Sequence, residues 1–156
     1  MSKERNLIYR RATLEDLPII LEMIANDQLG RSREAFKIPL PRPYLTAFEK
    51  IEKDPNQEIM VAEWDGEIVG TFQLSYLQYL TYKGGMRVLV EAVRVGDSYR
   101  GMGFGRSMFE YIIGRSRKAG AHMVQLTSNK KRKNAIRFYE SLGFEASHEG
   151  FKYHIE

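Results

Sequence analysis

Apolar positions along the chain change period several times, and each change predicts an element. Residues 6–13, NLIYRRAT, read as a first strand. Thr13 and Asp16 then make a capping-box-like helix start, and Leu14, Leu17, Ile20, Leu21 and Ile24 follow at helical spacing. The prolines of IPLPRPY, residues 38–44, break regular structure, because proline lacks an amide donor and clashes inside a helix. Residues 44–54 resume as a short helix with Leu45, Phe48 and Ile51 on one face. Segments 58–64 and 67–77 read as strands on either side of Asp65-Gly66, a strong hairpin signal. After a turn at 81–85, residues 86–96 read as the next strand.

A helix is expected over 103–119, with Phe104, Met108, Tyr111 and Ile112 on one stripe and Gly120 as its stop. A strand at 122–128 and a helix at 133–142 follow, the helix carrying Ala135, Phe138, Tyr139 and Leu142 on one face and stopping at Gly143. Residues 151–155, FKYHI, read as a last strand, paired with 144–149. Short turns make the middle strands antiparallel. The helical crossover from 86–96 to 122–128 makes those two parallel. The expected fold is α/β (α+β): a mixed, mostly antiparallel twisted sheet of six to seven strands with helices on both faces. No repeat or linker interrupts it, so residues 1–156 are expected to form a single domain.

Composition removes several chemistries. The chain has no cysteine, which excludes disulfides, thiolate metal sites and a cysteine nucleophile and fits a reducing cytoplasm. His122, His148 and His154 lack metal-ligand spacing, so no metal is expected. There is no apolar run near membrane-spanning length and no charged-then-apolar leader, so no membrane partner is expected. The net charge is +4. Its basic residues are scattered rather than gathered on one face, which argues against a nucleic-acid reader. The charge suits a phosphorylated small molecule, and equally suits solubility alone.

The stretch YRGMGFGRSMFEYII, residues 99–113, carries candidate chemistry. A strand feeds a glycine-rich turn that becomes a helix at once. The first amides of a helix lack internal acceptors, and the dipole favours an anion there, most often phosphate. The dinucleotide pattern G-x-G-x-x-G fails, because Arg106 stands where its third glycine belongs. The P-loop pattern fails as well, having no Gly-Lys-Ser. The pattern R/Q-x-x-G-x-G/A is met by Arg100, Gly103 and Gly105.

With that pattern, and with NAIRFYESLGF at 134–144, the chain resembles the GCN5-related N-acetyltransferases, the GNAT superfamily. The resemblance is strongest over 86–144. It implies an N-acetyltransferase that uses acetyl-CoA as co-substrate. The pyrophosphate would lie on the turn formed by Arg100, Gly101, Met102, Gly103, Phe104, Gly105 and Arg106. The pantetheine arm would add to the backbone of Val93, Arg94 and Val95 like another strand, in a splay between the fourth and fifth strands. Asn134 is the candidate for a further carrier contact. The family places an asparagine three residues before the helix alanine, where this chain has Arg132.

The implied reaction is direct attack of a primary amine on the thioester in a ternary complex, with an oxyanion donor near Val93. Glu91 is the candidate base. Alternation would put it among Leu89, Val93 and Val95 and so desolvate it. Tyr139 is the candidate acid for the leaving thiolate. The acceptor would be chosen by 29–44 and 76–85, where Tyr44, Tyr76 and Tyr79 can wall a pocket and Arg31, Arg33 and Arg42 can hold an acidic group. A coenzyme A-binding sensor or partner-binding domain without catalysis is the alternative, and a homodimer is left open.

Overall fold

The computed structural model describes residues 6–156. The chain divides into two compact parts, Met1–Gln125 and Leu126–Glu156. The first contains β1 (Ile8–Arg11), a 3-10 turn at Leu14–Asp16, α1 (Leu17–Ala25), α2 (Arg42–Lys53), β2 (Gln57–Trp64), β3 (Glu67–Gln78), a single turn α3 (Thr81–Gly84), β4 (Met86–Val95), a second 3-10 turn at Asp97–Tyr99, α4 (Phe104–Lys118) and β5 (Met123–Gln125). The second contains α5 (Lys133–Ser141).

The strands form one sheet in the order β1-β2-β3-β4-β5. All pairs are antiparallel except β4 with β5, which is parallel as the crossover requires. The sheet is thus mixed and mostly antiparallel, but it has five strands rather than six or seven. The predicted strands at 144–149 and 151–155 are not formed, and residues 145–156 are exposed throughout. Alternation alone cannot make a strand, because its backbone groups need a paired edge. The predicted strand 122–128 contracts to Met123–Gln125 for the same reason: only those residues meet β4.

Period-two alternation in β2 sorts two cores. Ile59 joins Leu17, Leu21 and Phe48 beneath α1 and α2. Glu58 and Trp64 meet α4 on the opposite face, through Arg115 and Phe104. Phe104, Met108 and Ile112 are almost wholly buried, as their spacing predicts. Each such side chain contributes roughly 1.5–3 kcal/mol of transfer free energy. Gly70 lets α4 come close, since a Cβ there would stand 2.6 Å from the Met108 sulfur. Helices therefore cover both faces.

Local signals are mostly kept. Asp16 accepts the Thr13 amide at 2.7 Å and closes the first turn. Helix α2 starts two residues before its predicted boundary, because Pro43 falls in the first turn, where no amide donor is needed. No helix among the described residues is long and apolar enough to cross a membrane.

Candidate active site

The glycine turn takes the shape its composition demands. Gly101 and Gly103 have φ of +74° and +85°, a region that costs other residues a Cβ clash. A Cβ on either would meet no atom within 4 Å, so the turn stands open. Gly103 caps α4 and accepts the Ser107 amide at 3.2 Å. Phe104 is the anchor. Its ring is 1% exposed and packs against Trp64 and Tyr99, with centroids 5.4 and 6.3 Å away. The amides of Phe104 and Gly105 thus open the helix from a fixed position without an acceptor inside it. Arg100 pairs with Asp97 at 3.0 Å, both largely in solvent, and Arg106 is exposed.

Strand β4 leads into this turn, and its two edges are treated differently. Its ladder with β5 runs from Arg87↔Met123 to Leu89↔Gln125, while β4 itself continues to Val95. On the β3 side Thr71 pairs with Arg94 and Gln73 with Glu91. Ala92 and Val93 therefore oppose Phe72 alone, which is a β-bulge. Ala92 carries the distortion at φ 52°, a conformation that costs a residue with a Cβ about 1 kcal/mol or more. The Arg94 guanidinium donates to the Val93 carbonyl at 2.8 Å and lies 3.7 Å from Asp27, just beyond α1. Both side chains of that pair are nearly buried. Neither bulge nor pair had a sequence signal, since alanine has no preference for left-handed backbone.

Glu91 differs from its expected environment. It is exposed, not enclosed by Leu89, Val93 and Val95. The bulge at the next residue ends the alternation on which that expectation stood. Val93, Arg94 and Val95 are half-buried. A cavity of about 260 Å³ opens at the end of the strand, between Glu22, Met23 and Asn26 of the α1 region and Val95–Ser98.

In the second part, Tyr139 is half-buried and Asn134 is exposed near the start of α5. The end of α5 explains much of the FYESLGF sequence. Gly143 has φ 93°, its amide donates to the Glu140 carbonyl at 3.0 Å, and the Phe144 amide donates to the Tyr139 carbonyl at 3.1 Å. This is a Schellman stop. The Tyr139 and Phe144 rings close it with an edge contact at 6.0 Å.

The three tyrosines proposed to wall an acceptor pocket do not share one. The Tyr44 hydroxyl donates to Glu34 at 2.8 Å and accepts the Ala35 amide at 2.9 Å on the α1–α2 face. Tyr76 lies on the α4 face and donates to Glu58. Tyr79 lies under the Arg87 guanidinium, 4.6 Å from its ring centroid. Glu58 is the centre of a buried cluster that sequence reading missed. Arg115 binds it with two bonds of 2.6 Å, and Arg11 stands 3.4 Å away. Burial alone would raise the Glu58 carboxyl, but the bonds from Arg115 and Tyr76 outweigh it and hold the group below its ordinary range. Burial and the Glu58 bond push the Tyr76 hydroxyl up to about 12.

Residues 24–144 match the family described as the acetyltransferase (GNAT) family. An aminoalkylphosphonate N-acetyltransferase from Salmonella typhimurium is 33% identical over 95 residues, which span 61% of each chain. An L-methionine sulfoximine/L-methionine sulfone acetyltransferase from Pseudomonas paraeruginosa is 29% identical over 140 residues, 88% of this chain and 80% of that one. A solved structure from Bacillus halodurans C-125, described as a transcriptional regulator, is 45% identical with a TM-score of 0.92, covering 96% of this chain and 100% of that one. A helix capped by the Gly101–Gly103 turn, a fourth strand that outruns its neighbour, and a match across most of the length all agree: the chain belongs to the acetyltransferase (GNAT) family.

Proposed function

We propose that this protein is an N-acetyltransferase that moves the acetyl group of acetyl-CoA to the primary amine of a small, anionic acceptor. The observation that carries the reading is the β4 edge. Beyond Leu89 it has no β5 pair, and it leads through the 3-10 turn at Asp97–Tyr99 to the open glycine turn. An extended, amide-bearing thioester carrier suits both features. Its pantetheine amides pair with the edge at Val93, Arg94 and Val95, and its pyrophosphate takes the amides at the start of α4. Arg100 and Arg106 supply charge, and Asn134 a further polar contact.

The acceptor nitrogen attacks the thioester carbonyl carbon, forming the C–N bond. The negative charge on the carbonyl oxygen is met by a backbone amide near Val93, in the bulged segment of β4. Collapse breaks the C–S bond, and the thiolate takes a proton from Tyr139. The ammonium proton leaves through water to Glu91, whose exposure suits a relay better than direct contact. An anionic acceptor is supported by the relatives, whose named substrates are an aminoalkylphosphonate and amino-acid derivatives. Arg31 and Arg42 are exposed and available to such a group.

Thiol release from acetyl-CoA, measured across aminoalkylphosphonates, methionine sulfone, amino-sugar phosphates, polyamines and a lysine peptide, tests this. Turnover is expected with anionic small amines and not with polyamines or peptide. A second reading, a coenzyme A-responsive regulator without turnover, is favoured by the description of the Bacillus halodurans relative. Tight acetyl-CoA binding with no thiol release across the panel would establish that reading instead.

A further inference from the structure

Arg87 is a half-buried cation that its own chain leaves incompletely bonded. On β4 it alternates with Val88 and Val90, which are 0% and 3% exposed, so the pleat puts it on the other face of the strand, with Leu89. Its Nε is shut off from solvent and has no acceptor among the described residues. A buried N–H normally finds one, because desolvation without a bond is costly. The partners Arg87 does have are neutral. Its Nη1 donates to Gln125 Oε1 at 3.1 Å, and its guanidinium lies 4.6 and 5.2 Å from the ring centroids of Tyr79 and Tyr82.

The surroundings are built for this arrangement. Tyr82 and Lys83 in α3 both hold left-handed backbone, at φ 51° and 59°, a conformation that costs residues with a Cβ. Gln78 donates to the Gly84 carbonyl at 2.7 Å and keeps the turn closed. The turn thereby holds the Tyr82 ring beside the guanidinium, where cation–π attraction helps to fix it. The bond to Gln125 sets its direction, since Gln125 pairs with Leu89 on the last rung of the β4–β5 ladder. The carrier proposed above reaches the same point from the other side, its pantetheine over Val93–Val95 and its thioester directed toward Leu89. Arg87 and Glu91 stand about 13 Å apart along the strand, a gap that the arginine side chain and a short acceptor span together. We propose that the Arg87 guanidinium, through Nε and Nη2, holds the phosphonate, phosphate or carboxylate of the acceptor while its amine faces the thioester. Binding through that pair satisfies the orphaned nitrogen, neutralises the charge and leaves Nη1 on Gln125. Arg87 is then a specificity-determining residue, and the inference rests on the acetyl-transfer reading.

Two measurements test it. The first compares aminoethylphosphonate with ethylamine, which lacks the anion. In Arg87→Gln the KM for aminoethylphosphonate should rise about tenfold or more, and the preference over ethylamine should fall by the same factor. The KM for acetyl-CoA should not follow. Arg87→Lys keeps the charge without the fork and should recover only part of the loss. The second measurement needs no turnover. In the full wild-type chain with isotope-labelled arginine, the Arg87 Nε–H resonance is identified by its loss in Arg87→Lys. With coenzyme A present, it should shift on titration with aminoethylphosphonate and not with ethylamine. That shift without thiol release from any acceptor would sink the transfer reading and keep the anion site. An unmoved resonance overturns the assignment of Arg87 whether or not thiol is released, and so does an unchanged KM in Arg87→Gln.

Discussion

Glu58 shows how one carboxylate can bind a helix to a sheet. It is 3% exposed, and its depressed pKa has a definite sign in the stability. A folded-state value below the ordinary 4.5 means that the contribution is complete above that pH and is lost as pH falls through the folded value. Glu58→Gln is expected to cost about 3 kcal/mol at neutral pH, the low end for a broken buried pair, because Arg115 keeps a third of its side chain in water. Thermal denaturation from pH 7 to 3 should find the variant's deficit shrinking toward the acid end. Tyr139 poses a different question, since its carbonyl and ring already build the stop of α5. Tyr139→Phe keeps both and removes only the hydroxyl. A fall in turnover of about a hundredfold with acetyl-CoA binding intact would assign the proton to that hydroxyl. Near-normal turnover would leave it a helix-stop residue. Glu91→Gln, assayed across pH at saturating acetyl-CoA, should flatten the acid limb of the rate profile. An unchanged limb would leave the proton to bulk water.

At the scale of elements, the glycine turn and the β4 bulge reach left-handed backbone by different means. The turn uses glycine, and was legible because few other uses of alternate glycines before a helix exist. The bulge uses Ala92, and no local rule singles out an alanine. Gly103→Val should remove the rise in melting temperature that acetyl-CoA gives, because a β-branched residue at φ +85° must rebuild the cap of α4. An undiminished rise would detach the carrier from the turn. The helices were legible because their stripes and stops are local: α4 ends with Gly120 and α5 with Gly143, both at positive φ. The strands at 144–149 and 151–155 were not, because alternation states a strand's readiness and says nothing of its partner.

Across the whole molecule, the sequence order of the strands equals their spatial order, and the one parallel pair falls at the helical crossover. The antiparallel pairing of β2, β3 and β4 followed from the short turns between them and the parallel pairing of β4 with β5 from the crossover, whereas the place of β1 beside β2 had no signal in the sequence. What could not follow was the extent of each ladder, which depends on contacts between residues far apart in the chain. The charge was equally ambiguous in sequence. Several arginines are engaged in ion pairs, Arg10, Arg94 and Arg115 among them, and since each pair takes up one cation and one anion the formal excess of +4 stands outside these pairs.

The one-sided ladder of β4 also has a signature in time. Backbone amides along its β3 edge are held in a continuous sheet, apart from the bulge, whereas among the described residues the β5 ladder ends at Leu89. In deuterium oxide, the two sets of amides within the same few residues should exchange at separate rates, the set beyond the β5 ladder within seconds to minutes. Saturating coenzyme A should slow that set selectively and leave the β3-facing set unchanged. The strand would then report, amide by amide, when its missing neighbour arrives.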